Sequence, residues 1–330
     1  MSSTRAAGLA GILAFALLQG TAPAQDSAGT STKAAGTGAP ASAPHPQSAQ
    51  PEAFASPEDG FAAMAAAAQA HDERRLLATL GEGARRLIRS GDPVADRAAR
   101  DRFAAAYAEK AEILRSDADS AVLQVGDDRW PLPIPMVRHD GVWRFDARRG
   151  VQEMVDRRIG RNELDTIEVL RAIVDAQKEY ARTAGRQGTF QSYARRFFST
   201  PGRHDGLYWP TAAGQPESPL GPLVAAASGG GYGHGADDKP RPFHGYFFRM
   251  LEAQGPDAPG GAMDYVVNGR LIGGFGVLAY PAEYGVSGIQ TLLVSHSGVV
   301  YQANLGTATA HIARHITAFD PGPGWQPVEE

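Results

Sequence analysis

"RRIGRNELDTIEVLRAIVDAQKEYARTAGRQGTFQSYARRFFSTPGRHDGLYWP", residues 157–210, decides how this chain is built. Ile159, Leu164, Ile167, Leu170, Ile173, Val174, Gln177 and Tyr180 or Ala181 recur at three- and four-residue spacing. That period predicts one long amphipathic helix, from Val151 to about Ala184, ended by Gly185. Arg171, Asp175, Lys178 and Glu179 fall on other faces and are read mostly as a solvated side. A helix with one apolar stripe needs a surface to lie on, and the sequence after it supplies one.

Beyond an irregular Gly/Pro-rich stretch with a short helix near 220–227, the period changes to that of strands. "HGYFFRMLEA", "MDYVVNG", "LIGGFGVLAY", "IQTLLVSH" and "VVYQANL" are rich in aromatic and β-branched residues, with turns at Asn268-Gly269 and Ser297-Gly298. A short helix, 307–317, and a Pro/Gly tail close the chain. Upstream of residue 151, Ser56-Pro57-Glu58-Asp59 is a helix start, Leu76, Leu77 and Leu80 mark a second helix stopped by Gly81, and a third is expected from about Pro93 to Leu114. "AVLQVG", "LPIPMVRH" and "VWRFD" then read as strands, the last two joined by an Asp140-Gly141 hairpin turn. The fold class is α+β: helices on a curved antiparallel sheet (56–148), followed by a long helix packed on an antiparallel sheet (151–320), with a tail at 321–330.

The first residues are of another kind. Arg5 precedes an apolar run from Ala6 to Leu18, and Ala22-Pro23-Ala24 offers a cleavage site, so 1–24 read as a secretory signal peptide cleaved near Ala24. The expected location is the periplasm or the exterior. The run is shorter than the roughly 20 residues of a membrane span, so no integral membrane segment is expected in the mature chain. Residues 25–55, rich in Ala, Pro, Ser and Gly, read as a disordered linker.

Composition removes several chemistries. With no cysteine, there can be no disulfide, thiol nucleophile or cysteine-bound metal. A net charge of −4 and no basic cluster with interleaved aromatics argue against nucleic acid. Lysine occurs only at 33, 110, 178 and 239, which leaves little room for Schiff-base chemistry.

Motifs running through most of the chain, among them "SGDPVADRAARDRF", "WPLPIPMVRHDGVWRFD", "RRIGRNEL", "DGLYWP", "FHGYFFRMLEAQGP" and "YVVNGRLIGGFGVLAYPAEYGVSGIQT", resemble the bacterial envelope family named domain of unknown function 2950. The resemblance spans about residues 54–324 and implies no activity. Residues 54–147 are also similar to the nuclear transport factor 2-like (cystatin-like) cone fold, which implies a conical pocket between helices and sheet. Residues 151–306 resemble the globular head of type IV pilins and pseudopilins. Unlike the polymerising helix of pilins, the helix here is internal and charged on one side.

Few residues suggest chemistry. His311 and His315 in "HIARH" have the i, i+4 spacing of two metal ligands, but Ile312 stands where a zinc protease needs glutamate, so no metal and no cofactor is expected. "SGGGYGHG" (228–235) lacks the ending of a phosphate loop and reads as a helix end leading into a loop whose Tyr232 and His234 fold over a cleft. "YGVSG" (284–288) falls short of a nucleophile elbow. Arg158, Arg161 and Glu163 are assigned to a joint between the two halves. In Asp205-Gly206-Leu207-Tyr208-Trp209-Pro210 the proline keeps two adjacent rings from entering one core site, so one ring is expected to line an opening. The expected ligand-facing set is Tyr180, Tyr208, Trp209, Tyr232, His234, Tyr246 and Tyr284. The expected function is a non-enzymatic envelope binding or assembly factor whose partner is an envelope protein or polymer. Two alternatives stand beside it: a hydrolase of envelope polymer, with Asp205, His244 and Asp264 as suspects, and a pseudopilin-like subunit.

Overall fold

Ser56 starts the helical layer of the first half. Its hydroxyl accepts the Asp59 amide at 3.1 Å and Pro57 occupies the first helical position, giving α1 (Pro57–Gln69). The computed structural model describes residues 50–212, 214–230, 232 and 241–329. The expected signal peptide, its cleavage site, residues 25–49 of the expected linker, and His234 lie outside the described residues. The rest of that linker is packed: the Glu52 amide donates to the Ala78 carbonyl, and Phe54 exchanges backbone bonds with Trp143 at 2.8 and 2.9 Å, so ordered pairing begins ahead of Ser56.

Asp72 caps α2 (Glu73–Leu80), which Gly81 stops at φ +84°. A short α3 (Arg85–Ile88) leads to α4 (Pro93–Glu109). The helix expected to reach Leu114 thus ends five residues sooner, because Ala111–Asp117 is a strand, β1, paired antiparallel with β2 (Ser120–Val125). Strands β3 (Trp130–Pro131), β4 (Met136–His139) and β5 (Val142–Phe145) complete a five-stranded sheet in the order β1-β2-β4-β5, with β3 also on β2. Asp140 and Gly141 both take positive φ at the β4–β5 turn, as an Asp-Gly hairpin requires. Phe61, Met64, Leu76, Leu80, Ile134, Met136 and Phe145 form the first core.

The long helix α5 (Val151–Arg182) follows Gly150, whose φ of +78° and approach to the Pro133 carbonyl leave no room for a Cβ. Its first turns, through Val151, Val155 and Ile159, belong to the first core; Ile167, Leu170, Ile173, Val174 and Tyr180 belong to the second. The Gly185 amide then closes the end on the Tyr180 carbonyl at 2.8 Å.

The second half begins with a small ribbon, β6 (Arg186–Gln187) with β7 (Phe190–Gln191), and α6 (Gly221–Gly229). Next come β8 (Tyr246–Leu251), the ribbon of β9 (Ala253–Gln254) and β10 (Met263–Asp264), and the ribbon of β11 (Val266–Val267) and β12 (Arg270–Leu271), turned by Asn268-Gly269. The main strands follow: β13 (Gly276–Pro281), β14 (Gln290–Ser295) and β15 (Val300–Asn304). Helix α7 (Thr309–His315) comes after them, and β16 (Gln326–Pro327) turns part of the expected tail into an edge strand. The sheet is antiparallel throughout, ordered β16-β15-β14-β13-β8. Its alternating side chains fill two cores. Val277, Ala279, Leu292 and Val294 face α5; Leu278 and Leu293 pack with Ala313 of α7 and Phe319. No described helix is long and apolar enough to cross a membrane.

Candidate functional site

"SGDPVADRAARDRF", residues 90–103, builds one wall of the site. Asp92 is buried at 1% exposure, a position that demands several partners for a carboxylate. One oxygen accepts the amides of Val94 and Ala95, both at 3.1 Å, and caps α4. The other accepts the Tyr232 hydroxyl at 2.8 Å and the Gly245 amide at 2.9 Å, tying the second half to the first. One turn later Asp96 accepts the Ser90 amide on both oxygens. Burial raises its pKa; the Ser90 bonds and the nearby Arg158 and Arg100 oppose that shift.

Arg158 completes the joint from α5. Its guanidinium donates to the Val286 and Leu87 carbonyls, each at 3.1 Å, and to the Arg86 carbonyl. Burial lowers its pKa, and Asp96 works against the loss. On the same helix the Asn162 side chain donates to the Ser287 carbonyl at 2.8 Å, and Glu163 accepts the amides of Ile289 and Gln290 at 2.9 and 3.0 Å. Arg158 and Glu163 thus bond backbone far away in sequence, at 86–87 and 286–290. Arg161 does not: it is exposed and makes no hydrogen bond or ion pair among the described residues. Asp92, Asp96 and Asn162 are joint residues that sequence reasoning passed over. A proline after Asp92 signals a cap but says nothing of its second pair of donors.

Above this joint an open cavity of about 990 Å³ runs between α4, the first sheet and the start of α5. Its existence follows from α4 itself. The apolar side chains that α4 offers the cavity, Ala95, Ala98, Ala99, Phe103 and Ala106, are mostly methyl groups, set alongside Arg100 and Arg102, and only Asp96 on that helix is buried. A helix set over a sheet needs larger side chains to fill the space between them. Met64, Leu76, Leu80, Val125, Leu132 and Ile134 make the opposite wall. Charged and polar groups stand at the rim, where Arg157, Arg158 and Arg161 line the opening with Asp165, Tyr232 and His244. His244 Nδ1 lies 3.1 Å from Asp165 Oδ2, and the Tyr232 ring meets Phe243 edge-on at 4.9 Å. Burial, then the Asp92 carboxylate, push the Tyr232 hydroxyl far above the ordinary tyrosine range, so it is a hydrogen-bond donor at any physiological pH.

Of the described residues expected to face a ligand, only Tyr232 lines this cavity, and of the suspected catalytic residues only His244 does. Tyr208 and Trp209 do separate as Pro210 requires, and each half-buried ring leans on another aromatic side chain. Tyr208 meets Phe198 edge-on at 5.9 Å, and Trp209 stacks on His204 at 4.2 Å. Tyr180 is buried with its hydroxyl on the His204 carbonyl at 2.9 Å, and Tyr284 bonds Asn304 at 3.0 Å. Tyr246 has no exposed surface, and its hydroxyl donates to the Gln290 carbonyl at 3.0 Å, so it cannot meet a ligand. Asp205 accepts the Thr200 amide and hydroxyl, the amide bond being the main reason its pKa is lowered. Asp264 accepts the Val266 amide at 2.8 Å. Both carboxylates thus hold local turns, and neither accompanies His244 in the cavity. Ser287 is likewise buried, with its hydroxyl closing the turn back to Glu283. His311 and His315 lie 4.6 Å apart by ring centre, with His315 Nδ1 against the His311 carbonyl, and no metal-binding cluster of three side chains occurs among the described residues.

No curated protein and no solved structure matches the chain. A family profile does, over residues 51–328, which takes in the joint, both sheets and the cavity. The chain belongs to the family described as Protein of unknown function (DUF2950).

Proposed function

We propose that this chain is an exported, non-enzymatic binding protein of the cell envelope whose ligand enters the cavity beneath α4. The observation that carries the proposal is the cavity itself: about 990 Å³, lined largely by apolar side chains, with charged groups at its two ends and along α4. That is the build of a small-molecule pocket. The Arg5-led apolar run and Ala22-Pro23-Ala24 support export. Helices over one sheet with an open space between them support a cone-like first half, and α5 lying across the second sheet supports a pilin-head-like second half. A pseudopilin role fits less well, because α5 gives its first turns to the first core and so is not free to polymerise.

The recognition surface moves accordingly, from the Tyr208–Trp209 loop to the cavity. A neutral fluorescent apolar dye, N-phenyl-1-naphthylamine, is expected to bind the purified protein at one site. Ala98→Trp, which fills the space under α4, should abolish that binding while Trp209→Ala leaves it unchanged. Equal dye binding by Ala98→Trp, in a variant that keeps its far-ultraviolet spectrum, overturns the proposal. Turnover of peptidoglycan, polysaccharide or ester substrates that disappears in His244→Ala overturns its non-enzymatic part, since His244 and Asp165 form an acid–base pair on the rim.

A further inference from the structure

We infer that the cavity beneath α4 takes a single-chain aliphatic anion, a free fatty carboxylate, lying along α4 with its head group against Arg161. The inference rests on the reading of this cavity as the ligand site and adds the ligand's length, chemistry and direction.

Length comes from the helix. The lining extends along α4 from Val94 to Glu109, which at 1.5 Å per residue is roughly 20 Å. An occupant that fills it is elongated.

Chemistry comes from the middle of the cavity. Leu76, Leu80, Phe103, Val125, Leu132 and Ile134 offer no hydrogen-bonding side chain, and Arg100 and Arg102, the polar residues of this stretch, come from one edge, α4. A peptide buried there would leave amide groups without partners, at roughly 1–3 kcal/mol each. It cannot recover them by adding a strand, because β2 is already paired on both sides, with β1 on one and β3 and β4 on the other. A hydrocarbon chain meets no such cost.

Direction comes from the ends. At the α5 end most charges are already engaged. Arg158 is held by three carbonyls, Asp96 by the Ser90 amide, Asp165 by His244, and Arg157 by Glu153. Arg161 is the cation left over at this end, exposed at the cavity and without a partner among the described residues; Arg102, exposed and likewise without one, stands midway along α4. The far end, where Gly126 packs against Ala106 and Glu109, carries Glu109, Asp127 and Asp128. An anionic head group is attracted to the first end and repelled from the second. The separation of about 20 Å exceeds the Debye length of about 8 Å at physiological salt, so each end acts on its own.

The test titrates the full-length protein with hexadecanoate, with 1-hexadecanol and with vesicles of dioleoyl phosphatidylglycerol. Hexadecanoate should bind about tenfold more tightly than the alcohol, the scale of one charge-assisted contact. Arg161→Glu should erase that preference and leave the alcohol within twofold of its original affinity. A nitroxide at the methyl end of the fatty acid should quench Trp130, at the acidic end of the lining, more than one beside the carboxylate; the difference should vanish in Trp130→Phe. Equal affinity for acid and alcohol, or an Arg161→Glu variant that still prefers the acid, overturns the inference while leaving the cavity as a binding site. Binding to the vesicles without binding to free hexadecanoate also overturns it. Binding of none of the three, together with no dye binding, removes the cavity reading itself.

Discussion

At the scale of single residues, two buried charges do most of the joining. Asp92 receives two donors from its own helix and two from the other half of the chain, so one carboxylate caps α4 and fastens it. Arg158 does the reverse, covering two carbonyls of α3 and one of the 283–290 segment. Removing one side of such an arrangement costs more than the arrangement contributes, because the remaining groups stay buried without partners. Arg158→Met is therefore expected to lower unfolding free energy by about 3 kcal/mol, measured by urea titration. A loss under about 1 kcal/mol, the scale of a surface ion pair, would mean that water satisfies these carbonyls and Asp96. Arg158 and Glu163 stand out in the sequence as charges at the start of an amphipathic helix, but their backbone partners at 86–87 and 286–290 do not. Asp92 was recognisable only as a cap, since its other two donors, Tyr232 and Gly245, lie some 140 and 150 positions away in sequence.

At the scale of elements, the period of apolar residues was a sound guide wherever an element ends on a chemical signal. Ser56, Gly81, Gly185, Asp140-Gly141 and Asn268-Gly269 each sit where caps or turns are observed. The α4–β1 boundary has no such signal. "AEIL" continues helical spacing, and only pairing of Ala111–Asp117 with Ser120–Val125 makes it a strand. The 283–290 segment shows another kind of dependence: a Cβ on Gly288 would lie 2.1 Å from the Tyr246 hydroxyl, inside a core with no free space. Gly288→Ala should destabilise the protein by about 2 kcal/mol through overpacking. Adding Tyr246→Phe, which deletes the hydroxyl in the way, should recover part of that loss, so the two changes should be non-additive in a double-mutant cycle. Simple additivity would show that Gly288 matters for its backbone alone.

At the scale of the whole molecule, α5 is the shared element. Its first turns complete the first core and its later turns cover the second sheet, while Arg158, Asn162 and Glu163 between them bond the 283–290 segment. Neither half can lose its share of this helix without exposing the other's. The two halves are accordingly expected to unfold in one transition, with the fluorescence of Trp143 in the first half and of Trp325 in the second, each isolated by replacing the other tryptophans with Phe, giving the same urea midpoint. Midpoints separated by more than the fitting error would make the halves independent.

The sequence by itself determined the α+β class, the long helix, most turns and the absence of cysteine chemistry, because each depends on the type and spacing of neighbouring residues. Only the tertiary structure decided where the opening lies. The alanines of α4 look like ordinary helix filler along the chain, and the rings at 208 and 209 look available. Whether a methyl faces empty space, or an aromatic ring finds another to lean on, depends on what residues distant in sequence bring to the same place.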